Sequence, residues 1–188
     1  MESAFHSPEI GPADAGWQAL LGAADELGRA LASRGWMLGC AESCTGGMIA
    51  TALTSLPGSS QWFERCMVTY SNAAKTELLG VDPDMLRTQG AVSEATALAM
   101  ARGVLARAPV QAALSVTGIA GPGGGSADKP VGLVWFGWAW NTPQGVLAQA
   151  ESRCWPGGRH AVRMASAQHA LRGMLLRLAS PCPPPQGD

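Results

Sequence analysis

The stretch Ala41-Glu42-Ser43-Cys44-Thr45-Gly46-Gly47 constrains this chain more than any other. An apolar run of strand length, Trp36-Met37-Leu38-Gly39-Cys40, leads into it. An apolar, helix-prone run, Met48 to Leu53, leaves it, and Pro57-Gly58 closes the unit. A strand that turns tightly into a helix leaves several backbone N–H groups unpaired at the helix start, aimed at one region. Two hydroxyls, a thiol and a carboxylate are placed there. Such a turn binds an anion or holds a nucleophile at the carboxyl edge of a sheet. Equally, Ser43 or Thr45 serves as an ordinary helix cap. Local spacing leaves both readings open.

The other segments set this unit in a layered fold. Trp17, Leu20, Leu21, Ala24, Leu27 and Leu31 recur at helical spacing and predict an amphipathic helix over 14–33, stopped at Gly35. Strands are expected over 36–40, 65–70, 111–116, 131–140 and 145–154, the last two joined as a hairpin. Ser71-Asn72, Asp82-Pro83 and Ser93-Glu94 read as helix starts, and 159–178 as a long closing helix. Helices alternating with strands, then a hairpin and a last helix, predict an α/β fold: a single three-layer α/β/α domain around a mixed β-sheet. Residues 1–13 are expected to form a flexible leader, 14–179 the domain, and 180–188 a disordered Pro-rich tail.

Composition narrows the function classes. With 47% hydrophobic and 14% charged residues the chain has a globular balance. No apolar run is long enough to span a bilayer and the N-terminus lacks a signal-peptide build, so a cytoplasmic location and no membrane partner are expected. A net charge of -1 offers no electrostatic footprint for nucleic acid. Cysteines 40, 44, 66, 154 and 182 form no CxxC or Cys/His cluster and read as reduced thiols. His6, His160 and His169 lack metal-ligand spacing, so no metal site is expected; His160 and His169 read as surface positions of the last helix.

Two further motifs carry chemistry. Tyr70-Ser71-Asn72-Ala73-Ala74-Lys75 places a phenol at a strand end and an amine on the first turn of the next helix. Of the 13 basic residues only Lys75 and Lys129 are lysines, and lysine, unlike arginine, can lose its proton near neutral pH. A hydroxyl nucleophile needs a base, and a desolvated lysine can be one, with tyrosine relaying the proton or donating to an oxyanion. The alternative has Tyr70 in the core and Lys75 pairing with Glu64 or Glu77 at the surface. The run Gly118 to Gly125 is neither a Walker A loop nor a dinucleotide fingerprint. It can form a nest of N–H groups around a phosphate or carboxylate, with Lys129 close behind, or remain a plain surface loop.

Together these segments resemble the CinA C-terminal domain family, whose stand-alone members include nicotinamide-nucleotide amidohydrolases. The matching stretches are 41–47, 57–60, 62–65, 68–72 with Lys75, 90–93, 117–122 and 124–132, and the resemblance covers about residues 15–178. It implies an anticodon-binding-domain-like α/β/α fold and a hydrolase that deamidates nicotinamide mononucleotide without metal or organic cofactor. The implied catalytic residues are Ser43 as nucleophile, Lys75 as base and Tyr70 assisting proton transfer. Backbone N–H groups of Thr45, Gly46 and Gly47 are expected to hold the oxyanion. Gly121, Gly124, Gly125, Ser126, Lys129 and Arg159 are expected to hold the substrate, its phosphate above all. Cys44 is a rival nucleophile, but neighbours on a turn point apart, so it is not expected to face the site beside Ser43. Where the family carries Gly-Asp-Arg, this chain has Gly157-Gly158-Arg159: the arginine is kept and the acid is missing. The expected assembly is a homodimer. A non-catalytic nucleotide-binding or competence-associated module, and an amidase for another phosphorylated carboxamide, are the alternatives.

Overall fold

The computed structural model describes residues 12–179. Helix α1 (Pro12–Ala32) precedes β1 (Leu38–Glu42), α2 (Met48–Thr54), a 3-10 turn (Ser59–Gln61) and β2 (Phe63–Val68). Helices α3 (Asn72–Leu79), α4 (Pro83–Thr88) and α5 (Glu94–Arg107) follow, then β3 (Ala112–Gly118), β4 (Leu133–Thr142), β5 (Gly145–Cys154) and α6 (Arg159–Ala179). The expected tail and nearly all of the expected leader lie outside the described residues, although α1 already begins at Pro12.

The strands lie in the order β2-β1-β3-β4-β5. β1 is parallel to both β2 and β3, while the β3-β4 and β4-β5 pairs are antiparallel. The chain thus crosses from β1 to one side and later returns to the other. Right-handed crossovers taken in opposite directions place their helices on opposite faces of the sheet. Helix α2 packs on one face with α1 and α6, and α3, α4 and α5 pack on the other. The mixed sheet and three layers match the expectation.

Alternation along β1 and β3 feeds two cores. Leu38, Cys40, Leu114 and Val116 face α1, α2 and α6, where Leu20, Leu27, Leu171 and Met174 meet them. Ala41 and Ala113 face the other way, toward Leu79, Leu86, Met100 and Val104. All five residues of β1 are buried, as expected of a central parallel strand covered on both faces. Helix α5 comes close enough for Ala97 O to accept the Ser115 hydroxyl at 2.6 Å, and a Cβ on Gly137 would overlap that same carbonyl.

Three helix starts follow the sequence closely. Ser71, Asp82 and Ser93 cap α3, α4 and α5, their side chains accepting N–H bonds from Ala74, Asp84 and Thr96. Strand ends shift by up to two residues, because pairing register sets them: Leu38 is aligned with Phe63 and with Ala112. One consequence is that Glu42, a carboxylate, ends β1 while fully buried. His169 departs from its expected surface position. It packs edge-on against Phe136, Trp138 and Trp155 and bonds Glu151 Oε1 at 2.6 Å. Cys40, Cys44, Cys66 and Cys154 are free thiols, and Cys182 lies outside the described residues.

Candidate active site

The carboxyl ends of β1, β2 and β3 meet where the strand order reverses at β1, the place where α/β sheets open a crevice. A cleft of about 270 Å³ lies there, bordered by Ser43, Lys75, Tyr70, Arg159 and the start of the glycine-rich loop, with Val92 and Ile119 as apolar walls. Ser43 directly follows β1, and its N–H donates to Val116 O of β3 at 2.9 Å. Thr69 N–H continues the β2 pairing by donating to Glu42 O at 2.8 Å. The Ser71 cap then turns the chain into α3 and brings Lys75 back beneath both strand ends.

Lys75 is 1% exposed. Its Nζ donates to Thr69 O at 2.8 Å and lies 3.2 Å from Ser43 Oγ. It pairs with neither Glu64 nor Glu77, and Glu64 is bonded to Arg65 instead. Burial holds the amine below its ordinary value of 10.5, because taking an ammonium out of water disfavours the charged form. An amine so held, once it loses its proton, can act as a general base toward a hydroxyl within reach.

Cys44 also borders the cleft, contrary to the expectation that only one of the two neighbours could. Burial chiefly pushes its thiol up to about 11, with the Glu42 charge adding to that. A thiol so raised stays protonated near neutral pH and is a poor nucleophile.

The turn itself is built differently from the simple cap. Gly47 occupies the N-cap of α2 with φ 90°, a left-handed conformation that glycine adopts freely, and no side chain at that position caps the helix. The buried Glu42 carboxylate does so from the strand, accepting N–H bonds from Gly47 at 2.9 Å, Ile49 at 3.3 Å and Ala50 at 2.9 Å. Gly46 N–H is taken by Ser43 O at 3.0 Å. The expected oxyanion donors Gly46 and Gly47 are therefore already engaged, and Thr45, the third, is fully buried and does not border the cleft. The N–H groups of Cys44 and Thr45 have no acceptor among the described residues. Arg163 donates through Nε and Nη2 to Thr45 O at 3.2 and 2.7 Å.

On the opposite wall, Arg159 bridges the cleft mouth. Its Nη1 donates to Gly121 O at 3.0 Å and its Nη2 to the Tyr70 hydroxyl at 2.8 Å. It holds this position without the acid that Gly158 replaces. Tyr70 is 60% exposed, so it is not a core residue, and its hydroxyl bonds Arg159 rather than Ser43 or Lys75. Gly121, Gly123 and Gly124 border the cleft. Gly125, Ser126 and Lys129 do not: Lys129 N donates to Ser126 Oγ, Ser126 N to Lys129 O, and Lys129 Nζ to Gln89 O at 2.8 Å. A Cβ on Gly125 would lie 2.8 Å from Val131 N, so that residue packs on the entry to β4.

Glu42 and Arg163 are the residues that pattern reading missed as parts of the site. A usable signal existed for the arginine. Arg159 and Arg163 stand four residues apart on one face of α6, in its first turns, where the helix dipole disfavours cations. Basic residues placed against that preference are there for a tertiary contact.

A mixed-sheet α/β/α domain with a buried amine–hydroxyl pair at its switch point has the makings of a hydrolytic site. The chain belongs to the CinA C-terminal domain family, whose profile it matches over residues 21–178. It is 53% identical over 150 residues to the nicotinamide-nucleotide amidohydrolase PncC of Enterobacter agglomerans, covering 80% of this chain and 90% of that protein. It is 45% identical over 153 residues to the enzyme of the same name from Escherichia coli K12, covering 81% and 91%. Its fold is similar to the crystal structure of the competence/damage inducible protein CihA from Agrobacterium tumefaciens, with TM-score 0.78, 46% identity and 86% and 96% coverage. It is also similar to the competence damage-inducible protein A of Klebsiella pneumoniae, with TM-score 0.80, 36% identity and 85% and 97% coverage.

Proposed function

We propose that this protein is an amidohydrolase that converts nicotinamide mononucleotide to nicotinic acid mononucleotide and ammonia. The observation that carries the mechanism is the buried Lys75 amine 3.2 Å from Ser43 Oγ at the cleft floor. Ser43 Oγ attacks the carboxamide carbon while neutral Lys75 takes its proton. The tetrahedral oxyanion is held by a backbone N–H of the turn that no other group has claimed; Cys44, at the cleft border, supplies it, since Thr45 is fully buried. The C–N bond then breaks, and Lys75 returns the proton to the departing ammonia. Water, deprotonated by Lys75, hydrolyses the acyl-enzyme and frees Ser43.

Arg159 is the cation for the phosphate, since it borders the cleft and presents a planar pair of donors, whereas Lys129 is turned to Gln89 O. Gly121 and Gly124 line its side of the cleft. Tyr70 acts at the cleft mouth, where it orients Arg159 and its own O–H can donate to the substrate. Val92 and Ile119 supply apolar lining against which the pyridine ring would rest. A volume of about 270 Å³ lies near the lower end of small-molecule sites. Among the described residues no helix is long and apolar enough to cross a membrane. The homodimer expected for the assembly is tested by light scattering on the eluting protein.

Incubation of the purified protein with nicotinamide mononucleotide, followed by measurement of ammonia and of the acid product, tests the reading. Absence of ammonia with this substrate, alongside ammonia from another phosphorylated carboxamide, would move the assignment to that substrate.

A further inference from the structure

Two opposite charges grip the nucleophile turn from different sides. Glu42, fully buried, fastens the first amides of α2 to the end of β1 and also accepts a bond from Cys66 Sγ at 3.3 Å. Arg163 reaches in from α6 and clamps the Thr45 carbonyl with two N–H groups. Between these anchors the turn closes on itself through Gly46 N–H to Ser43 O at 3.0 Å and Met48 N–H to Thr45 O at 3.3 Å. Glu42 and Arg163 are not among the residues that border the cleft.

We propose that Glu42 and Arg163 are positioning residues that hold the Ser43–Thr45 turn in the geometry attack requires. This rests on Ser43 being the nucleophile. Thr45 is fully buried, and its Oγ1 has no partner among the described residues, so its side chain does not anchor it. Its carbonyl is the anchor instead. Fixing that carbonyl on Arg163 keeps a negative dipole away from the cleft, where it would repel a developing oxyanion, and orients the preceding Ser43–Cys44 segment that borders the cleft. Glu42 does the complementary work. By taking the amides of Gly47, Ile49 and Ala50 it prevents them from drawing the turn or a ligand into another arrangement.

The test compares Arg163→Ala, Arg163→Lys and Glu42→Gln with the unmutated protein. Three quantities are read: kcat and KM with nicotinamide mononucleotide, the rate at which a fluorophosphonate labels Ser43, and the melting temperature. Arg163→Ala is expected to lose about 10- to 100-fold in kcat, the scale of a displacement near 1 Å, with KM held within about threefold. The labelling rate should fall in parallel, and Arg163→Lys should recover part of both. Glu42→Gln presents an amide N–H toward amide donors, so a loss selective for kcat is expected with a lower melting temperature. Should Glu42→Gln fail to fold, the Arg163 pair decides alone. Unchanged kcat and labelling in Arg163→Ala would overturn the proposal, as would a loss confined to KM. If the unmutated protein is labelled at Ser43 yet leaves nicotinamide mononucleotide intact, the substrate reading fails while the labelling rates still decide the positioning. No labelling of Ser43 in the unmutated protein would overturn both.

Discussion

Replacing Lys75 by Met removes the amine and keeps a flexible side chain of comparable reach. Two opposing changes in stability follow. The bond from Nζ to Thr69 O disappears and strands a carbonyl of a fully buried residue, which costs about 1–3 kcal/mol. Against this, the thioether needs no hydration, whereas burial of the amine is unfavourable enough to hold it below 10.5. With the folded-state value depressed, the unfolded chain binds more protons between that value and 10.5, so the wild-type protein gains stability as pH rises through the window. Below the window the wild type carries the whole penalty, and Met carries none at any pH. The net change near neutral pH should stay within about 2 kcal/mol, or roughly 4–8 °C in Tm for a chain of this size. Activity should respond very differently. Loss of the base affects both acylation and deacylation, and a drop of about 1,000-fold in kcat, near 4 kcal/mol of barrier, is expected. Ammonia release should be followed from about pH 6 to 10 alongside melts of the same preparations. Wild-type kcat/KM should rise with pH until the amine is neutral, and the residual activity of the variant should lack that limb. A variant that keeps more than about a tenth of kcat, or the same limb, would refute the assignment of Lys75 as base.

Ser43→Ala should abolish nearly all ammonia release while Cys44→Ala keeps a substantial part, because the Cys44 thiol stays protonated; the reverse order in steady-state assays would assign the nucleophile to sulfur. Nicotinamide mononucleotide should be turned over better than its riboside by at least roughly a hundredfold, the minimum loss expected for two charge-assisted hydrogen bonds of about 1.5–3 kcal/mol each. Arg159→Ala should erase most of that preference and Lys129→Ala little of it, and equal turnover of the two substrates by the unmutated protein would remove the phosphate role from this end of the cleft. Gly173→Ala brings a Cβ into overlap with the indole edge of the fully buried Trp138 and should cost about 1–3 kcal/mol in chemical denaturation with kcat unaffected. Unchanged stability would mean that α6 and β4 can separate to admit a methyl group.

The element order and the three capped helix starts at Ser71, Asp82 and Ser93 were legible in the sequence, because each depends on local rules: hydrophobic period or turn chemistry. Ser43 and Lys75 stood out locally only as candidates beside plainer readings, and the family resemblance is what implied their catalytic roles. The burial of Lys75 was not legible, because its partner Ser43 lies 32 positions away and the two meet only through the pairing of β1 with β2. The same limit hid Arg163, which stands 118 positions from the carbonyl it clamps. Lys129 and Arg159 were both candidate cations near a glycine-rich loop, the arginine slightly favoured for its bidentate geometry, and packing separated them, turning one to Gln89 O and the other across the cleft. Glu42 illustrates the division most plainly. Its place in the turn motif was visible, but its burial was not, because it depends on β2 and β3 flanking β1 and on α2 closing over it. Burial then forces it to find donors, and the first amides of α2 supply them. The candidate residues were written locally; which of their groups remain free was decided by tertiary contacts that claim the others.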